Sequence, residues 1–199
     1  DYGSLAKKIC DRHFGVGADG IMICEKSDVA DIEMIYYNSD GSQGEMCGNG
    51  IRCFSKFIYE NHILHKDVFN VETLAGIKTV YLEIDNLDKV KTVKVDMGYP
   101  VFEGEKIPVD IHKGKVILEN IKIDEKEITF SSVLLGVPHT TIFIKDIYSI
   151  DINGLGRKIE NHPLFPQKTN VNFVQVVSRN NINIYTWERG AGRTLGCGT

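Results

Sequence analysis

Residues 46–50 read Met-Cys-Gly-Asn-Gly, and residues 197–199 read Cys-Gly-Thr, a shortened version of the same motif. The two cysteines lie 197 − 47 = 150 positions apart. The same shift carries Asn38 onto Glu188 and the segment LAKKICDR at 5–12 onto LGRKIENH at 155–162. In each copy a short basic helix leads to an extended segment, then to a strand rich in Ile and Tyr (IEMIYY, INIYTW), then to a polar Gly-containing loop and Cys-Gly. Each match alone is modest, but separated regions that share one offset mark an internal duplication. The expectation is two similar domains facing each other, with the two Cys-Gly turns related by a pseudo-two-fold axis and a ligand held between them.

Outward from these turns, hydrophobic periodicity supplies the elements. Ser4 is placed to cap a helix over Leu5 to His13, with Gly15 as its stop. Ile21 to Cys24 and Asp31 to Tyr37 read as strands. From Gly48, the apolar positions Ile51, Phe54, Phe57 and Ile58 give a helix with one buried stripe, so Phe54 and Phe57 are both expected in the core. Residues 68–102 alternate and are rich in β-branched side chains, as antiparallel strands joined at Asn86-Leu87-Asp88 would be. Further strands are expected at 115–123, 127–135 and 140–145, a helix near 154–161, and strands near 171–177 and 182–187. The fold class is α+β with mostly antiparallel sheets. Pro100 and Pro108 bracket the polar stretch Glu103 to Lys106, which sets the expected domains at 1–106 and 107–199.

Composition excludes several functions. With 42% hydrophobic and 25% charged residues, the 199-residue chain can bury a core. A net charge of −4 offers no basic field, so neither nucleic acid nor an anionic membrane is an expected partner. Five cysteines, at 10, 24, 47, 53 and 197, contain no CxxC pair, and the six histidines form neither HxxxH nor HExxH, so no metal is expected. No apolar run approaches about 18 residues and no leader pattern is present, which makes a reducing cytoplasm the default location. Gly15-Val16-Gly17-Ala18-Asp19-Gly20 matches GxGxxG, but a helix precedes it and a strand follows, the reverse of a dinucleotide site. The loop NSDGSQGEMCGN begins like a calcium loop yet carries Asn49 where a bidentate Glu is required.

What remains is thiol chemistry. A cysteine at a helix N-terminus sits where partial positive charge favours the thiolate. Two such thiols on opposite sides of a bound molecule can remove a proton from one face and return one to the other, inverting a carbon by general acid and base catalysis alone. Backbone N–H groups at Gly48, Asn49, Gly198 and Thr199 are placed to grip a carboxylate as its charge grows, Glu188 to hold an ammonium, and Arg189 a second carboxylate. Cys10, Cys24 and Cys53 read as ordinary small hydrophobes.

The stretches NSDGSQGEMCGNGIRC, WERGAGRTLGCGT and RHFGVGADG resemble the diaminopimelate epimerase family, and the likeness covers nearly the whole chain. The resemblance implies two pseudo-symmetric domains, each a sheet wrapped around a central helix, and a cofactor-independent enzyme interconverting LL- and meso-diaminopimelate in lysine and peptidoglycan synthesis. It implies Cys47 and Cys197 as the acid and base, with His139 and Glu188 beside the reacting centre. Asn38, Gly48, Asn49, Asn170, Glu188, Arg189, Gly198 and Thr199 are implied as substrate contacts. The partner is then a small amino acid, and a homodimer is left open. Val137 stands where the family often has asparagine, and Arg193 replaces a common glutamate. The family's opening segment and the helix after Thr199 are not in the sequence, so both ends are expected to be incomplete, and 199 residues alone to be feeble or inert. Two alternatives stay open: a racemase of another amino acid on the same fold, and an amino-acid binder whose cysteines form a redox-sensitive disulfide.

Overall fold

Ile32, Met34 and Tyr36 alternate with partly exposed neighbours, and all three are buried on one face of a strand, as a period of two requires. The structure, a computed structural model, describes residues 1–112 and 114–197. Contacts divide it into two units, residues 1–98 and 99–197, each built on one sheet with helices packed against it. Together they form a two-domain α+β architecture.

The first unit runs α1 (Tyr2–Cys10), β1 (Gly20–Glu25), β2 (Ile32–Asn38), β3 (Gln43–Gly44), α2 (Gly48–Glu60), β4 (Val68–Glu72), β5 (Lys78–Ile84) and β6 (Val90–Val95). Its sheet has the order β1-β2-β4-β5-β6, with β3 paired to β2. Only β2 and β4 are parallel. Ile51, Phe54 and Ile58 of α2 are buried, and the helix packs on β5 and β6. Burying three such side chains stabilises the unit by roughly 5–9 kcal/mol before entropy is counted. Phe57 is 55% exposed, against the expectation that it shares the core with Phe54. It follows Phe54 by three residues but lies about 100° around the helix from Ile58, outside the stripe.

The second unit contains β7 (Glu119–Ile123), β8 (Lys126–Leu135), β9 (Val137–Phe143), α3 (Ile152–Glu160), β10 (Asn170–Ser178), β11 (Asn181–Glu188) and β12 (Gly192–Thr194). The sheet order is β12-β11-β10-β9-β8-β7, parallel only between β9 and β10. α3 covers β10, β11 and β12 over a core that includes Phe130, Phe165, Val171, Phe173 and Trp187. The division falls after Gly98 rather than after Lys106. Residues beyond it belong to the second unit because Val101 bridges to Leu134 and Gly104 N donates to Gly114 O at 2.8 Å.

The duplication extends to hydrogen-bond register. Ile21 pairs with Tyr37 and Val171 with Trp187; Tyr36 pairs with Gly44 and Thr186 with Thr194. Each second pair is the first shifted by 150. α1 and α3 obey the same shift at both ends, and each is capped by an aspartate. The cap of α1 is Asp1, not Ser4: Asp1 Oδ1 accepts from Gly3 N at 3.0 Å, while the Ser4 hydroxyl donates to Asp1 Oδ2 at 2.6 Å. That helix also ends at Cys10, earlier than expected, because Asp11 Oδ1 takes the N–H groups of His13 and Phe14 at 2.7 and 2.8 Å. The strand expected at 115–123 is shorter, with Leu118 at φ 55° interrupting it. Among the described residues no helix is long and apolar enough to cross a membrane.

Candidate active site

In the first unit, Asn38 closes β2 and is buried, its Nδ2 donating to Ser42 Oγ at 3.0 Å. The turn that follows delivers Cys47 to the N-cap of α2, with extended backbone (φ −135°, ψ 109°). Its Sγ accepts a hydrogen bond from Gly50 N at 3.2 Å, so the thiol occupies the position a capping hydroxyl or carboxylate takes at other helices. A backbone donor aimed at sulfur stabilises the thiolate over the thiol. Gly50 permits this approach: a Cβ there would lie 3.1 Å from Cys47 Sγ and 2.9 Å from Met22 Sδ. Gly48 and Asn49 open α2, where N–H groups are not consumed by the helix's own ladder. Asn49 Oδ1 accepts from Arg52 Nη2 at 2.6 Å.

The second unit assembles more of the expected residues. Asn170 opens β10 beside His139 of β9, opposite it in the parallel register. Asn170 is buried and its Oδ1 accepts from Arg189 N at 2.8 Å, which ties the start of β10 to the turn after β11. Glu188 ends β11 and accepts from Thr194 Oγ1 at 2.8 Å, while Arg189 Nη1 donates to Gln167 O at 3.0 Å. Beneath this turn lies a residue the sequence reading did not single out. Buried Glu160 accepts from Trp187 Nε1 at 2.7 Å and from Gly190 N at 3.3 Å, with Lys168 at 3.4 Å. The carboxylate thereby braces the Glu188-Arg189 turn from the C-terminal end of α3.

His139 lies within β9 and is only 5% exposed. Its Nδ1 is 3.9 Å from Cys197 Sγ and 3.4 Å from Asn172 Nδ2. Nε2 is buried without a hydrogen-bond partner among the described residues. Burial, reinforced by the Arg189 charge, pushes its pKa down to about 4, so the imidazole beside Cys197 is neutral at pH 7. Asn172, itself buried, receives a hydrogen bond from buried Thr186 Oγ1 at 3.0 Å on Oδ1. Neither residue emerged from the sequence reading. The available signal was the pair Asn170-x-Asn172, polar at a spacing of two inside an otherwise apolar strand. Gly198 and Thr199 lie outside the described residues. Val137 is buried at the start of β9 and presents no polar group to a ligand.

The two cysteines thus have different surroundings within their own units, and each has groups able to tune proton affinity. Such an arrangement suits proton transfer at carbon without a nucleophilic step.

Comparison with known proteins adds the lineage. The family profile described as diaminopimelate epimerase matches residues 1–103 and 131–199. The chain is 52% identical over 199 residues to the diaminopimelate epimerase of Caldanaerobacter subterraneus subsp. tengcongensis, covering all of this chain and 72% of that protein. It is 50% identical over 198 residues to that of Alkaliphilus metalliredigens, covering 70% of that protein. Among solved structures, a probable proline racemase from Agrobacterium radiobacter superposes with a TM-score of 0.71 at 14% identity, over 96% of this chain and 60% of that one. A hydroxyproline epimerase from Agrobacterium vitis gives 0.68 at 15% identity, over 94% and 58%. At such identities these two establish the fold alone. The chain spans less than two thirds of either solved protein.

Proposed function

Because the chain belongs to the diaminopimelate epimerase family, we propose that it interconverts LL- and meso-2,6-diaminopimelate through Cys47 and Cys197. As thiolate, one cysteine removes the α-hydrogen; as thiol, the other returns a proton to the opposite face, and the roles exchange in the reverse direction. The observation that carries this reading is Cys47 capping α2 through its sulfur, repeated 150 positions later by a cysteine whose sulfur faces a buried imidazole.

The remaining residues support the charge that develops. Backbone N–H groups at Gly48 and Asn49 receive the α-carboxylate, whose oxygens gain charge as the α-hydrogen leaves. Glu188, oriented by Thr194, holds the ammonium, and Arg189 takes the distal carboxylate in a bidentate pair. Asn38 and Asn170 shape the walls of the site. Neutral His139 accepts the Cys197 thiol proton as a hydrogen bond without adding charge.

A second reading, a racemase of another amino acid, is favoured by one observation. Val137 is buried and apolar where a polar contact to the substrate's distal end would be expected. The deciding measurement is exchange of α-hydrogen for solvent deuterium, with LL-diaminopimelate compared against other amino acids. Exchange confined to diaminopimelate supports the first reading, and exchange with another amino acid the second. Binding without any exchange would leave a protein that holds an amino acid but moves no proton.

A further inference from the structure

We propose that Asn172, oriented by Thr186, is a positioning residue that fixes the tautomer of His139, so that the Nδ1 lone pair faces Cys197. The proposal rests on the assigned roles of Cys197 and His139 and adds what sets their polarity. Asn172 lies directly opposite Thr186 in the antiparallel register of β10 and β11. The Thr186 hydroxyl donates to Asn172 Oδ1 at 3.0 Å, which leaves Nδ2, a donor only, turned toward His139 Nδ1 at 3.4 Å. A proton on Nδ1 would set two donors against each other among buried side chains: the exposures of Asn172, Thr186 and His139 are 6%, 2% and 5%. The proton is therefore placed on Nε2, where it meets no opposing donor, though it has no acceptor among the described residues. The Nδ1 lone pair is then an acceptor shared between Asn172 Nδ2 and the Cys197 thiol, 3.9 Å away.

The repeat argues that this pair is not part of the framework. Under the shift of 150, Asn172 and Thr186 fall on Met22 and Tyr36, which pair in the same register of the first sheet. That sheet forms without a polar pair at these positions. The two polar side chains are confined to the unit that holds the histidine, and they end on its ring. Among the titratable or charged groups of the described residues, Arg189 acts on His139 through its charge and Cys197 lies against the ring.

The test is nitrogen NMR of histidine-labelled protein at pH 7, with the His139 signals identified by their loss in His139→Gln. In the unmodified protein and in Thr186→Ser, Nδ1 is expected to show a pyridine-type shift and Nε2 a pyrrole-type shift. Thr186→Val removes the anchor and should give averaged shifts. Asn172→Asp, similar in size, should move the proton to Nδ1, and it carries the comparison if Thr186→Val does not fold. Substrate α-hydrogen exchange in Thr186→Val should fall roughly 10-fold to 100-fold, the scale known for outer partners of metal-bound imidazoles, through kcat rather than KM, with recovery in Thr186→Ser. A proton on Nδ1 in the unmodified protein, or shifts unaltered in Thr186→Val, overturns the positioning role whatever the activity does. A tautomer that moves while exchange is unaltered overturns instead the assignment of Cys197 and His139 to the chemistry.

Discussion

Cys47 and Cys197 end two copies of one motif in one register, yet among the described residues a different group is seen against each sulfur. Cys47 Sγ takes a backbone N–H from its own helix, whereas Cys197 Sγ faces a neutral imidazole buried on a strand. The first arrangement is built from local sequence, because a cap and its third helical residue are fixed by a few dihedrals. The second joins β9 to the chain beyond β12, residues 58 positions apart. Duplication supplied the scaffold twice, and the groups that tune each thiol were then chosen separately.

The largest expected effect is from removing each thiol in turn. Cys47→Ser and Cys197→Ser should each lose epimerase activity by roughly 100-fold to 10,000-fold, the scale of a positioned acid or base. Washout of α-hydrogen from the LL substrate should depend on one cysteine and washout from the D centre of the meso substrate on the other. Equal washout from both centres in both variants would contradict a division of labour.

Removing the imidazole sharpens the second half of the comparison. The pKa of His139 is lowered from 6.5 to about 4 in the folded chain. Above pH 6.5 neither state binds the proton; between 6.5 and 4 the unfolded chain binds it and the native one does not. Stability is therefore lost as pH falls through that window, by about 2 kcal/mol between pH 7 and pH 5. In His139→Gln this part of the acid sensitivity should vanish, read as the difference between denaturant midpoints at the two pH values. An unchanged difference would show that the ring protonates as readily folded as unfolded.

Gly50→Ala strikes only the first half. The added methyl would crowd Cys47 Sγ and Met22 Sδ, for a loss of about 1–3 kcal/mol by denaturation. Because the sulfur is pushed off its donor, alkylation of Cys47 at fixed pH should slow while that of Cys197 does not. Loss of reactivity at both would mean that the two thiols are not tuned independently. The smallest effects are expected from Asp1→Ala and Asp151→Ala, which uncap α1 and α3. Each should cost about 1 kcal/mol. Similar losses extend the repeat to its caps, whereas a much larger loss at one would show that helix to be holding more of its unit.

The sequence by itself determined the repeat, the α+β class and the two Cys-Gly turns. Spacing and periodicity are local quantities, and the offset of 150 survives in strand register because a one-residue slip would turn every buried side chain outward. It also marked Cys47, whose cap lies within four residues of chain. Only the tertiary structure decided that Phe57 faces solvent, that His139 is buried within a strand, that Glu160 braces the Glu188-Arg189 turn, and that Asn172 and Thr186 end on the imidazole. Such hydrogen bonds join strands and helices distant in the chain. Their partners follow from which elements become neighbours and how far each is desolvated, and no spacing along one strand encodes either.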